Sequence, residues 1–308
     1  MEIIVLGAGA IGSLYGAKLA TANEVILVGR ADHVAAINEQ GLRIEGIEPQ
    51  VVRIRATTAI EQIGANALVL LTTKVPGSAN ALASIAPLVR PDTTIVCLQN
   101  GLDSEVLARR TLDNRGVVLR GITQFGAIFT RPGVIHYMAP GYTLLEQHSR
   151  SQGIACVFTA AGLAGRISSD IARDIWHKLI FNCVVNPITA ILGCEVGGIA
   201  APGLDRLKEL VIGECVAVAR TQELTFQVDF LREISEVFGP SHNIASMLQD
   251  LRRGHATEID YLNGAVAAVG AEQGVPCPVN QALAAIIKAM ETKQTSLFPE
   301  KMLEPKPA

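Results

Sequence analysis

The chain has 308 residues, with 26 Lys and Arg against 29 Asp and Glu and a formal charge of -3 at pH 7, enough for two domains of ordinary size. This near balance gives no general attraction for a polyanion and no basic cluster stands out, so a nucleic-acid partner is not expected. A composition 49% hydrophobic and 18% charged excludes a disordered chain, and with 4% aromatics the cores must be built from Ala, Val, Ile and Leu.

In chain order, residues 2–6 read as a short buried strand, 7–12 as a glycine-rich turn, 11–20 as a helix and 24–28 as a second strand. Glycines interrupt the first apolar run, and Glu2 stands where a secretory leader would be basic, so the expectation is a cytoplasmic protein. Further strands are expected at 67–71, 94–98 and 116–119, with helices between them and an inserted strand pair between Leu42 and Arg55. Residues 134–138 and 142–145, joined by Ala139-Pro140-Gly141, predict a hairpin. The expectation is an α/β N-terminal domain of the Rossmann type over residues 1–167, doubly wound with antiparallel additions.

An all-α C-terminal domain is expected over 168–308, with helices at 169–192, 203–222, 227–236, 242–253, 256–271 and 278–291 and a loose, proline-bearing tail from Thr292. Its most apolar stretch, 179–201, contains Asn182, Asn186, Pro187 and Glu195. That pattern predicts a buried helix with a polar stripe, with no membrane partner. The apolar helices are compatible with a homodimer and equally with an ordinary core. Six Cys, at 97, 156, 183, 194, 215 and 277, show neither CxxC nor ligand spacing. They predict reduced thiols and no metal site.

Gly7-Ala8-Gly9-Ala10-Ile11-Gly12 places a GxGxxG run between the first strand and its helix. Gly7 permits the tight turn, Gly9 leaves room for a pyrophosphate, Gly12 lets helix and sheet approach, and the helix-start amides face the phosphates. At the end of the second strand stands Arg30, with no carboxylate until Asp32. A guanidinium there matches a phosphate-bearing ribose and predicts NADP rather than NAD, while a surface arginine beside a capping Asp32 is the plain alternative. Lys74 and Asn100 each follow an apolar strand, at the carboxyl edge where doubly wound sheets bind ligands.

Lys178, Asn182 and Asn186 recur every fourth residue, which sets them along one helix face with the outer pair about 12 Å apart. An ammonium and two amides in an apolar stretch need partners. A polar ligand or an interdomain hydrogen-bond network would each supply them. Ser246 and Glu258 belong to a later polar group near two helix starts, where a carboxylate also serves as a cap.

These pieces, in this order, resemble the ketopantoate reductase (2-dehydropantoate 2-reductase) family over about residues 1 to 290. The resemblance rests on the glycine motif, Thr73-Lys74, Gln99-Asn100-Gly101, the stretch from Trp176 through Lys178, Asn182 and Asn186-Pro187 to Thr189-Ala190, and the run from Ser246-Met247 through Asp250 to Thr257-Glu258-Ile259-Asp260. It implies an N-terminal Rossmann domain, a helical second domain, NADP(H) as cofactor and a small 2-oxo acid as substrate. It also implies reduction of ketopantoate to (R)-pantoate on the way to pantothenate and coenzyme A. Carried over by motif, Lys178 is the proton donor, Glu258 a catalytic carboxylate that orients Lys178 or binds the substrate hydroxyl, and Asn100 a residue on the ketone or nicotinamide side. Arg30 falls on the 2'-phosphate position, Lys74 near the cofactor, and Asn182, Asn186 and Ser246 on substrate contacts. One position departs: Val196 stands where the family has a further substrate-contacting Asn. That departure leaves open a reductase of another 2-oxo acid, and the fold alone leaves open a nucleotide-binding sensor without turnover.

Overall fold

Residues 2–6, Glu-Ile-Ile-Val-Leu, are apolar on both faces, a pattern that suits a parallel strand covered on both sides. The computed structural model describes residues 1–297. It divides into two units, Met1–Ile171 and a second beginning at Ala172.

The first unit runs β1 (Glu2–Leu6), α1 (Ala10–Leu19), β2 (Glu24–Val28), α2 (Ala31–Gln40), β3 (Leu42–Gly46), β4 (Gln50–Val52), β5 (Arg55–Thr57), β6 (Leu68–Leu71), α3 (Val75–Ile85) and β7 (Thr94–Cys97). It continues with α4 (Ser104–Thr111), β8 (Val117–Thr123), β9 (Gly126–Arg131), β10 (Val134–Ala139), β11 (Thr143–Leu145), α5 (Ser151–Ala160) and β12 (Gly165–Ile167). Eight strands form one sheet in the order β12-β11-β8-β7-β6-β1-β2-β5. From β5 to β8 every pair is parallel, the doubly wound arrangement whose order reverses beside β1. Ile3 and Val5 enter one apolar core and Ile4 and Leu6 the other, so the alternation of side chains along β1 supplies both layers.

The expected hairpin at 134–138 and 142–145 does not form. β10 pairs antiparallel with β9 and parallel with β3, in a separate sheet ordered β4-β3-β10-β9, whereas β11 pairs antiparallel with β8 in the main sheet. The turn chemistry that decides this lies earlier: Pro132-Gly133, with Gly133 at φ +76, folds β9 onto β10. The buried edge of β8 is then closed by β11.

The second unit contains α6 (Ile171–Leu192), α7 (Asp205–Thr221), α8 (Phe230–Phe238), α9 (Ser246–Arg252), α10 (Asn263–Glu272) and α11 (Pro278–Leu297). α8 starts later than its pattern predicts because the Asp229 carboxylate caps it, accepting the Arg232 N–H at 3.1 Å. The helix expected over 256–271 is broken at Leu262 (φ -111, ψ -100), leaving a single 3-10 turn, Ile259–Tyr261, ahead of α10. Residues 292–297, expected to be loose, continue α11; the rest of that tail lies outside the described residues.

By length and composition α6 is apolar enough to cross a membrane, but 67% of its most apolar window is buried inside the fold. It also carries Pro187 in its interior. A proline has no N–H to offer the carbonyl one turn back, here that of Cys183. The fully buried Asn263 fills the gap, donating through Nδ2 to the Cys183 oxygen at 2.9 Å and to Asn280 Oδ1 at 2.9 Å. Asn280 in turn donates to Glu214 at 2.7 Å, and the same carboxylate accepts the Val279 and Asn280 amides at the start of α11.

Candidate functional site

In the first unit the sequence-predicted residues gather at the carboxyl ends of β1, β2, β6 and β7. Gly7 has φ +117, and a Cβ there would overlap the Thr73 backbone nitrogen, so this turn requires glycine. The Gly7 and Ala8 amides both donate to Val28 O, at 3.0 and 2.8 Å. Thr72 Oγ1 donates to Gly7 O at 2.8 Å. A Cβ on Gly12 would overlap Gly7 O, whereas one on Gly9 would meet nothing within 4 Å. Gly9 is thus spared a side chain although the protein itself leaves the space open. It also caps α1 without a side chain, and the amides of Ala10, Ile11 and Gly12 in the first turn have no intrahelical acceptor. An open shelf beside a positive helix end fits a phosphate group.

The turns after β6 and β7 are joined to one another. Ser78 Oγ lies 3.0 Å from Thr73 Oγ1, donates to Lys74 O at 3.2 Å and receives the buried Gln99 amide. This network ties the backbone of Lys74, exposed at the head of α3, to Gln99, the residue before the half-buried Asn100.

Arg30 caps α2 at the end of β2, mostly exposed, with its guanidinium 5.4 Å from the Phe129 ring centre and 4.0 Å from Asp32. Phe129 packs edge-on against His33 at 4.9 Å between centres. His33 Nδ1 accepts the Gly133 N–H at 2.8 Å, so the neutral ring carries its proton on Nε2, facing Ser13 Oγ at 3.1 Å. Burial holds the His33 pKa below 6.5; Asp32 opposes that shift and Arg30 adds to it.

In the second unit Lys178, Asn182 and Asn186 lie on α6, the first two half-buried and Asn186 buried. Next to Lys178, His177 meets Glu233 at 3.2 Å and packs against Phe181 and Phe230 with ring centres 4.6 and 5.3 Å away. Ser246 and Glu258 stand on other elements. Ser246 is the exposed first residue of α9, and Glu258 precedes the 3-10 turn. That turn is tied to α11: Glu291 accepts the Thr257 N–H and hydroxyl at 2.8 and 2.7 Å, and Lys288 bonds Asp260 at 2.6 Å. Among the described residues no group of three or more His, Cys, Asp or Glu is placed to hold a metal ion.

Sequence reasoning missed Ser13, His33, Thr72, Ser78, Phe129, Arg120 and Asn263. Arg120 left the clearest trace, as the one charge in the apolar run Val117-Val118-Leu119-Arg120-Gly121-Ile122. Apart from Ser78, which bonds Thr73 and Lys74 within its own turn, the partners of the others lie far away in the chain.

The family model for ketopantoate reductase PanE/ApbA matches residues 3–150, and the model for the C-terminal part of that family matches 170–291. A 2-dehydropantoate 2-reductase of Pyrococcus horikoshii is 36% identical over 302 residues, covering 95% of this chain and 98% of the relative. Its counterpart from Archaeoglobus fulgidus is 31% identical, covering 94% and 98%. A PanE/ApbA family ketopantoate reductase from Ralstonia eutropha JMP134 superposes with a TM-score of 0.88 at 32% identity, covering 96% of this chain and 100% of that one. D-mandelate dehydrogenase in a ternary structure with NADH and anilino(oxo)acetate also superposes with a TM-score of 0.88, at 26% identity and the same coverage.

Proposed function

Since the chain belongs to the ketopantoate reductase family, a family of oxidoreductases, we propose that it reduces ketopantoate to (R)-pantoate with NADPH, with Lys178 as the proton donor. The observation that carries this reading is the succession of Lys178, Asn182 and Asn186 along one face of α6, an ammonium followed by two amides in an otherwise apolar helix. A bound NADPH supplies the hydride equivalent. The chain's own residues do the rest. The Lys178 ammonium stabilises charge developing on the C2 oxygen and passes it a proton. Asn182, Asn186 and Ser246 align the carboxylate and hydroxyl groups, and Glu258 either orients Lys178 or takes the substrate hydroxyl.

In this reading residues 1–167 hold the cofactor and 168–308 the substrate. The open shelf at Gly9 and the amides of Ala10, Ile11 and Gly12 take the pyrophosphate, with Gly7 and Ala8 shaping the turn. Arg30 takes the 2'-phosphate, Lys74 lies on the cofactor side, and Asn100 serves the ketone or nicotinamide.

A second reading, reduction of another 2-oxo acid, is favoured by Val196. It is buried and its N–H is already engaged with Asn243 O at 2.8 Å, so its apolar side chain offers none of the hydrogen bonds an Asn side chain would make and its N–H does not replace them.

The test follows loss of NADPH absorbance with ketopantoate, 2-oxoisovalerate, 2-oxoisocaproate, pyruvate and oxaloacetate, with NADH in parallel, for the wild type and Lys178→Ala. The expected result is a preference for ketopantoate and NADPH, and a fall in turnover of about 100-fold or more in Lys178→Ala at unchanged cofactor affinity. Preference for another acid selects the second reading. Unchanged turnover in Lys178→Ala refutes the proton donor.

A further inference from the structure

Arg120 lies on β8, directly across from Cys97 in the neighbouring strand β7, and is 2% exposed. Removing a guanidinium from water is unfavourable, and an ion pair alone does not reliably compensate for it. Its bonds show where this one is used. Nη2 donates to Gly101 O at 2.8 Å, and Nη1 donates to Ser104 Oγ and, at 3.4 Å, to Cys97 O. Nε lies 3.6 Å from the Glu105 carboxylate, which balances the charge. The guanidinium thus grips the turn between β7 and α4 on both sides of Asn100. That turn places Asp103, which has a Cβ, in the left-handed region at φ +61, a conformation unfavourable for a non-glycine residue. Such a shape persists where surrounding bonds fix it.

We infer that Arg120 is a positioning residue for the reaction, clamping the turn so that the Asn100 amide is held in one orientation. The inference rests on the reading of Asn100 as a residue on the ketone or nicotinamide side. Arg120 itself is buried beneath the turn and acts only through it. Orientation of this kind is felt in the transition state more than in ground-state binding, so its loss falls on kcat.

The test compares steady-state kinetics of the full-length wild type, Arg120→Lys, Ser104→Ala, Asn100→Ala and the double variant Arg120→Lys/Asn100→Ala, each checked for folding by circular dichroism. Arg120→Lys keeps a charge against Glu105 but loses the planar fork whose two terminal nitrogens reach Gly101 O on one side and Ser104 Oγ and Cys97 O on the other. Ser104→Ala removes one grip without disturbing the ion pair, and so serves if the lysine variant does not fold. The expected result is a kcat lowered about tenfold in Arg120→Lys and by a smaller factor in Ser104→Ala, with KM for the oxo acid within about twofold. The double variant should be no slower than the slower of its two parents, because both changes disable the same amide. Full kcat in the folded Arg120 or Ser104 variants, with Asn100→Ala impaired, overturns the clamp alone. Multiplying losses in the double variant do the same. Full kcat in Asn100→Ala removes the reading of Asn100 and the clamp with it.

Discussion

The bond from Asn263 to the Cys183 carbonyl permits a test in which a second mutation should repair the first. Asn263→Ala leaves two buried acceptors, Cys183 O and Asn280 Oδ1, without the 2.9 Å bonds that Asn263 gives them. Asn280 Oδ1 keeps the weak Cys215 thiol contact at 3.8 Å, so the full cost of a buried acceptor without a donor, about 1–3 kcal/mol, falls on the Cys183 carbonyl and sets the main expected loss. If the carbonyl is exposed to this loss because Pro187 has no N–H, Pro187→Ala restores a donor within α6 itself. Pro187→Ala should therefore stabilise the Asn263→Ala background by about 1–3 kcal/mol more than it stabilises the wild type, the share belonging to that carbonyl. Denaturant unfolding of the four proteins, followed by the fluorescence of the single tryptophan, measures the cycle. Trp176 is buried on α6, with its indole N–H bonded to Gln222 at 2.9 Å, and so reports on the same helix. An equal effect of Pro187→Ala in both backgrounds, within about 0.5 kcal/mol, would refute the pairing of Asn263 with the proline gap.

Arg30→Ala should weaken NADPH about 10- to 100-fold while leaving NADH within a few-fold, as measured by fluorescence titration; equal losses would remove the phosphate assignment. The two glycines should separate folding from binding. Gly7→Ala should lower Tm through its φ of +117 and its overlap with Thr73, whereas Gly9→Ala should melt like the wild type yet bind dinucleotide at least about tenfold more weakly, since its Cβ meets only open space. His33 is held neutral below its usual 6.5, so on acidification the unfolded chain takes up the proton first. Its contribution to stability is whole above pH 6.5, is lost as pH falls from there to the folded pKa, and changes no further below that. Tm against pH should accordingly slope less in His33→Gln than in the wild type over that interval, and parallel slopes would contradict the lowered pKa of His33.

Local chemistry explains which parts of this architecture can be read in advance. β1 and β2 declare themselves because strands apolar on both faces are bounded by turn residues, and the glycine motif lies between them. The 134–145 region misleads for a physical reason: Ala139-Pro140-Gly141 is as good a turn as Pro132-Gly133, and the choice between them depends on which sheet edges need covering. That information sits in β3 and β8, outside any local window. At the site the periodicity of Lys178, Asn182 and Asn186 is legible because a helix repeats its face every turn. Arg120 shows only as a lone charge in an apolar strand, and His33 and Asn263 not at all, because the partners that give each its role are brought close only by the completed fold.

The place of β1 also bears on how the protein reaches its native state. Ile3 is paired with Val25 on one side and Leu68 on the other. The first pairing closes over a single helix, while the second must wait for α2, β3, β4 and β5 to be strung between them. Loop closure on that scale is entropically unfavourable until the sheet is buried, which makes such pairings slow. Gly7 takes its final shape against Thr73, at the end of β6, so the phosphate shelf matures with the late pairing rather than with the local βαβ unit that carries its motif. A refolding chain should regain helical signal well before it regains affinity for a dinucleotide.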